Sequence, residues 1–170
     1  MTGPHPDVDD ATPSPGTDRI VKLTLDPNSI ARGNANIEHE REVAIFDILD
    51  ANMFRIEGRD DGPYEVELGI TEDRLVVTAV PVAGGDKSAI AVALPPLRRV
   101  MKDYFLVCEN YFQAIRTAPP IRIQQIDQGR RKLHDEGASA LVDRLAGKIT
   151  MDNDTSRRLF TLVCALHWKG

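Results

Sequence analysis

The chain has 170 residues, 42% of them hydrophobic and 28% charged, which fits one globular domain with a sizeable core. Its formal net charge of -5 and pI near 5.4 leave no positive footprint for tracking a nucleic-acid backbone or an anionic membrane. No segment reaches the roughly 18 apolar residues of a membrane span, and the N-terminus lacks the basic start and apolar stretch of a signal peptide, so a cytoplasmic location is expected, with neither nucleic acid nor membrane as partner.

Residues 1–18 carry Pro4, Pro6, Pro13 and Pro15 among acids and glycines, the composition of a disordered tail, and a single domain is expected over 19–170. From Arg19, "RIVKLTLD" alternates Val21, Leu23 and Leu25 with Lys22 and Thr24, the period of a half-buried strand. "NIEHEREVAIFDILDANMF" then places Ile37, Ala44, Ile45, Ile48 and Leu49 at helical spacing, with Asn36 as cap. The strand-like runs "MFRIEG", "PYEVELGI", "RLVVTAVPV" and "AIAVALP" follow, separated by turn-rich "RDDG", "TED" and "AGGDKS", and they predict a meander. Tyr64, Val66, Leu68 and Ile70 alternate with Glu65 and Glu67, so one side of that sheet meets water.

After Pro95 and Pro96 the period changes. "LRRVMKDYFLVCENYFQAIR" puts Leu97, Met101, Tyr104, Cys108, Tyr111 and Ile115 on one helical stripe, flanked by Phe105 and Phe112. Pro119 and Pro120 suit the start of a further helix from Ile121 to near Leu145, with Ile123, Ile126, Leu133, Leu141 and Leu145 towards the core. "MDNDTSRRLFTLVCALHWKG" closes the chain with a helix capped by Asp154 or Thr155, in which Leu159, Leu162, Val163 and Leu166 face inward. Cys108 and Cys164 lie in apolar runs and read as reduced, buried thiols. Trp168 is expected to plug the end of the core, or else to anchor a partner. Strands first and helices after give an α+β domain: an antiparallel sheet of about 4–5 strands with about four helices packed on one face.

Most motifs dissolve on inspection. "AGGDKS" has Asp86 where a phosphate loop needs glycine, and "GASAL" has Leu141 where a nucleophile elbow needs one. "DND" at 152–154 lacks the further ligands of a calcium loop and suits a helix start. His39 between Glu38 and Glu42 has no second histidine at a binding spacing, so neither a metal nor a cofactor is expected.

The charged run "QGRRKLHDEG" is harder to dismiss. Its plainest reading is an ion-paired outer helix face, with Arg131 meeting Asp135 and Lys132 meeting Glu136, each pair worth about 0.2–0.5 kcal/mol. Gly129 and Gly137 each cost a helix up to about 1 kcal/mol relative to Ala, which suggests close approach by another element. Arg130, Arg131 and His134, with Arg157 from the last helix, are the candidate ligand-binding residues for a small anion, since a guanidinium and an imidazole can grip a carboxylate or phosphate. A third reading is a structural network tying this helix to the last one through Arg157 or Arg158.

"GPYEVEL", "KDYFLVCENYFQAI", "IDQGRRKLHDEG" and "DTSRRLFTLVCALHWKG", in this order and spacing, resemble the bacterial proteins grouped as uncharacterised protein family 0262. The resemblance covers residues 19–170 and implies a small soluble bacterial protein of one domain. It supplies no activity, cofactor or catalytic residue. The glycine and arginine pair of "QGRR" match the family's pattern, whereas Lys132 and Asp135 depart from it, which weakens the ion pairs built on them. With no convergent nucleophile, base and metal set, the expected function is that of an interaction or regulatory protein with an unidentified protein partner. The alternative is an enzyme or sensor for a small anionic metabolite at the Arg/His patch. The apolar runs "FLVCENYF" and "LFTLVCALHW" also suit a homodimer interface, although a monomer core explains them equally.

Overall fold

The structure, a computed structural model, describes residues 17–167. The expected tail falls almost wholly outside the described residues, as does Trp168. Strand β1 (Ile20–Leu25) leads into helix α1 (Ala35–Asp50) and strand β2 (Phe54–Ile56). Strands β3 (Tyr64–Thr71), β4 (Arg74–Pro81) and β5 (Ser88–Ala93) follow, then helices α2 (Pro95–Thr117) and α3 (Pro120–Leu145), strand β6 (Ile149–Met151) and helix α4 (Asn153–His167). This is an α+β domain in which Tyr64, Val66 and Leu68 turn inward to the helices while Glu65 and Glu67 on the opposite face stay exposed.

The main sheet runs β1-β3-β4-β5. β3, β4 and β5 form two antiparallel hairpins, the first closed by Glu72 and Asp73, both at positive φ, as a two-residue turn matched to strand twist requires. β1 lies parallel to β3, so the sheet is mixed; the intervening chain, with α1 in it, supplies the long crossover a parallel neighbour needs. β2, expected as the first strand of the meander, leaves it and pairs antiparallel with β6, whose three residues are too few to show a period. Val21 was expected inward but is 40% exposed, because a register shift between Ile20 and Lys22 turns the strand.

Helix boundaries follow capping chemistry at neighbours of the expected residues. Asn34 rather than Asn36 caps α1, its side-chain oxygen accepting the Ile37 N–H at 2.9 Å. Asp152 rather than Asp154 or Thr155 caps α4, accepting the Thr155 N–H at 2.9 Å. Thr155 is buried instead, and its hydroxyl oxygen accepts the Met53 N–H, tying α4 to the segment before β2.

α2 and α3 form a long helical hairpin whose far half outruns the core. Leu97 and Met101 are buried at one end of α2, and Gly137, Ala138, Leu141 and Leu145 in the second half of α3. Ile115, expected on the core stripe, is therefore 50% exposed, and Ile123 and Ile126 are only half-buried. Gly137 is where α3 meets α4: a Cβ there would overlap the ring of Phe160, which is fully buried. Gly129 has open space around it, so close packing explains only the second glycine of the charged run.

Candidate functional site

α1 packs on α4 and α2 on α3, and α1 and α2 face each other across an open groove of about 600 Å³. His39, Glu40, Val43 and Asp47 line the α1 wall, and Tyr104, Phe105, Cys108, Glu109 and Phe112 the α2 wall. Thr161, Cys164 and Ala165 of α4 supply a floor of small side chains. The α1 wall is held in place from behind. Arg41, 3% exposed, donates to the carbonyls of Ala165 at 3.0 Å and Leu166 at 3.5 Å, and its other arm to the carbonyl of Ala31 at 3.0 Å. A cation at those last carbonyls of α4 sits where the helix dipole favours it, and Glu38 completes the ion pair at 2.9 Å.

Of the candidate residues from the charged run, only Arg130 reaches the groove. Its Nε and Nη2 donate to Oδ1 of Asp127 at 2.9 and 2.6 Å, and the guanidinium lies 5.2 Å over the Tyr111 ring. Asp127 also accepts Arg131 at 2.9 Å, and these hydrogen bonds hold its carboxyl below the usual range. Arg131 thus meets Asp127 rather than Asp135, and points outward, 68% exposed. Asp135 pairs instead with Arg157 of α4.

His134 lies behind the groove wall, stacked on Tyr104 at 5.2 Å between ring centroids. Its Nε2 is 3.0 Å from the Arg157 carbonyl oxygen, an acceptor only, which places the proton on Nε2; the Thr161 hydroxyl oxygen lies 2.9 Å away. Burial pushes the imidazole below its ordinary pKa, so it is neutral at pH 7. His134 and Arg157 together bind α3 to α4, whereas Arg158 turns away to donate to the Ala51 carbonyl at 3.0 Å.

Three further groups in the groove were not singled out by sequence as functional. Cys108 and Cys164 are free, half-buried thiols on facing elements, and burial raises both above the usual thiol range. Tyr104 is pushed up to about 12, again chiefly by burial. Among the described residues no three His, Cys, Asp or Glu side chains come together as a metal site. No helix among them is long and apolar enough to cross a membrane.

A profile of the uncharacterised protein family UPF0262 matches residues 17–169. The chain belongs to this family. A UPF0262 protein of Rhodopseudomonas palustris strain HaA2 is 47% identical over 170 residues, the whole of both chains. Another, from Methylobacterium radiotolerans, is 51% identical over 155 residues, 91% of this chain and 96% of its own. A third, from a Bradyrhizobium species, is 48% identical over 167 residues, 98% of this chain and 96% of its own. No solved structure matches. The family name assigns no role to any residue, so the groove in this UPF0262 member stands on its geometry. One sequence signal did point there: α2 carries Phe105, Leu106, Phe112 and Ile115 around more of its girth than one core stripe needs.

Proposed function

We propose that this UPF0262 protein is a cytoplasmic docking module without a reaction of its own, and that the groove between α1 and α2 receives an apolar segment of a protein partner. The carrying observation is that Val43 and Phe112, on opposite walls, are 44% and 57% exposed above a floor of small side chains. The groove's volume lies within the ordinary range of binding sites, roughly 300–1,000 Å³. Its nucleophile candidates support binding over chemistry, because Cys108 and Cys164 are held as thiols rather than thiolates. Two unpaired cysteines also suit a reducing compartment.

The alternative, a small-anion site at Arg130, Arg131, His134 and Arg157, draws less support. Each of those guanidiniums already faces a carboxylate, and a neutral His134 adds no charge. An anion would have to displace Asp127 or Asp135.

The test uses Val43→Glu and Phe112→Glu, at exposed positions where stability should change by no more than about 0.5 kcal/mol. Val82→Glu, on the loop after β4 and 53% exposed, is the control. A protein retained from cell extract by wild type and control, but lost from both groove variants, is the expected result. Retention undiminished by the groove variants overturns the proposal.

A further inference from the structure

We infer that the segment taken by this groove is an amphipathic helix whose apolar stripe is flanked on both sides by lysine or arginine. The inference rests on the groove being a docking site and adds the chemistry of the partner. All three sides are helices, so no strand edge is available to pair an extended peptide, which would bury backbone N–H and C=O groups without partners. A helix satisfies its own backbone. The small floor residues Thr161, Cys164 and Ala165 leave room for large side chains projecting from it.

Charge fixes the flanks. Glu40 and Asp47 stand on the α1 wall and Glu109 on the α2 wall, all exposed, and none of the three is in an ion pair among the described residues. Among the described residues the one Lys or Arg in the lining is Arg130, which is turned to Asp127, a carboxylate it shares with Arg131. The described lining therefore presents three carboxylates on its two walls against one guanidinium, and that guanidinium is engaged by Asp127 outside the lining. Glu40 and Asp47 are two helical turns apart, about 10.5 Å along α1 at 1.5 Å per residue, which matches cations two turns apart on a helix lying along that wall. A second copy of this chain fits poorly, since its formal net charge is -5. Such exposed pairs add modest affinity, but they steer encounter and select the partner's sign.

The experiment uses the full chain and two synthetic helical peptides with the same Leu/Phe stripe, one flanked by Lys and Arg, the other by Glu, with binding read by fluorescence anisotropy. The cationic helix should bind about tenfold more tightly than the acidic one, the sum of three exposed pairs and their reversal. Its affinity should fall as salt rises. The Glu40→Lys/Asp47→Lys double variant, altered at exposed positions, should invert the preference. Equal binding of both peptides, binding of neither, or cationic binding indifferent to the double variant would each overturn the inference. If the acidic helix binds instead and Phe112→Glu abolishes it, the groove is a docking site and only the partner chemistry is wrong. If the cationic helix binds but ignores Phe112→Glu, the groove reading itself fails.

Discussion

Replacing glycine by alanine at two positions of α3, eight residues apart, should change stability in opposite directions. Both glycines lie within the helix, and alanine gains up to about 1 kcal/mol there from propensity alone. At Gly129 a Cβ meets nothing within 4 Å, so the whole gain should appear. At Gly137 the added carbon would come closer to three atoms of the Phe160 ring than the 3.0 Å that real Cβ contacts respect. The ring cannot simply swing aside. It is 0% exposed and packs edge-on against Tyr104 at 5.6 Å between centroids, with His134 at 6.0 Å. Overpacking of this kind costs about 1–3 kcal/mol, and an overlap with three ring atoms belongs at the upper end. After the propensity gain, a net loss of about 2 kcal/mol remains. For a domain of this size each kcal/mol moves the melting temperature by roughly 2–4 °C. Thermal denaturation followed by circular dichroism should therefore show Gly129→Ala melting about 2–4 °C above wild type and Gly137→Ala about 4–8 °C below it. Combining Gly137→Ala with Phe160→Leu should recover part of the loss non-additively, because the two side chains share one space. Equal shifts for the two single variants would refute the assignment of Gly137 to helix contact.

Arg41→Met should destabilise by about 2–4 kcal/mol, since it strips donors from the buried carbonyls of Ala165 and Leu166, and urea denaturation would measure it; a change under about 0.5 kcal/mol would mean that Arg41 does not hold α1 to α4. His134 should give a pH signature. Burial depresses its folded-state pKa, so as pH falls the unfolded chain takes up the proton first. Stability should fall as pH drops through about 6.5, and this contribution should stop falling once pH is below the folded value. His134→Gln should lack that component as pH falls below about 6.5, so matching melting-temperature profiles for variant and wild type would contradict it.

Local physics determined much of this molecule. Periodicity located the long helices, Pro95 and Pro120 stand at their first turns, and the alternation of Glu65 and Glu67 with Val66 and Leu68 marked the wet face of the sheet. These features depend on neighbours in the chain, which a sequence displays directly. Which strand pairs with which does not. A period of two says that β1 has a buried face but not that it lies parallel to β3, and β2 and β6 are each three residues long. The candidate site divides in the same way. The run "QGRRKLHDEG" was visible as charge, but only packing showed that Arg131 turns to Asp127, that Arg157 takes Asp135, and that His134 is a neutral brace between α3 and α4. The groove itself lies between α1 and α2, separated in the chain by the β3–β5 hairpins and brought together only because α1 packs on α4 while α2 packs on α3, which packs on α4 in turn. The surplus apolar girth of α2 hinted at Phe112, but Val43 reads in sequence as an ordinary helix residue, because exposure is set by what fails to cover a side chain.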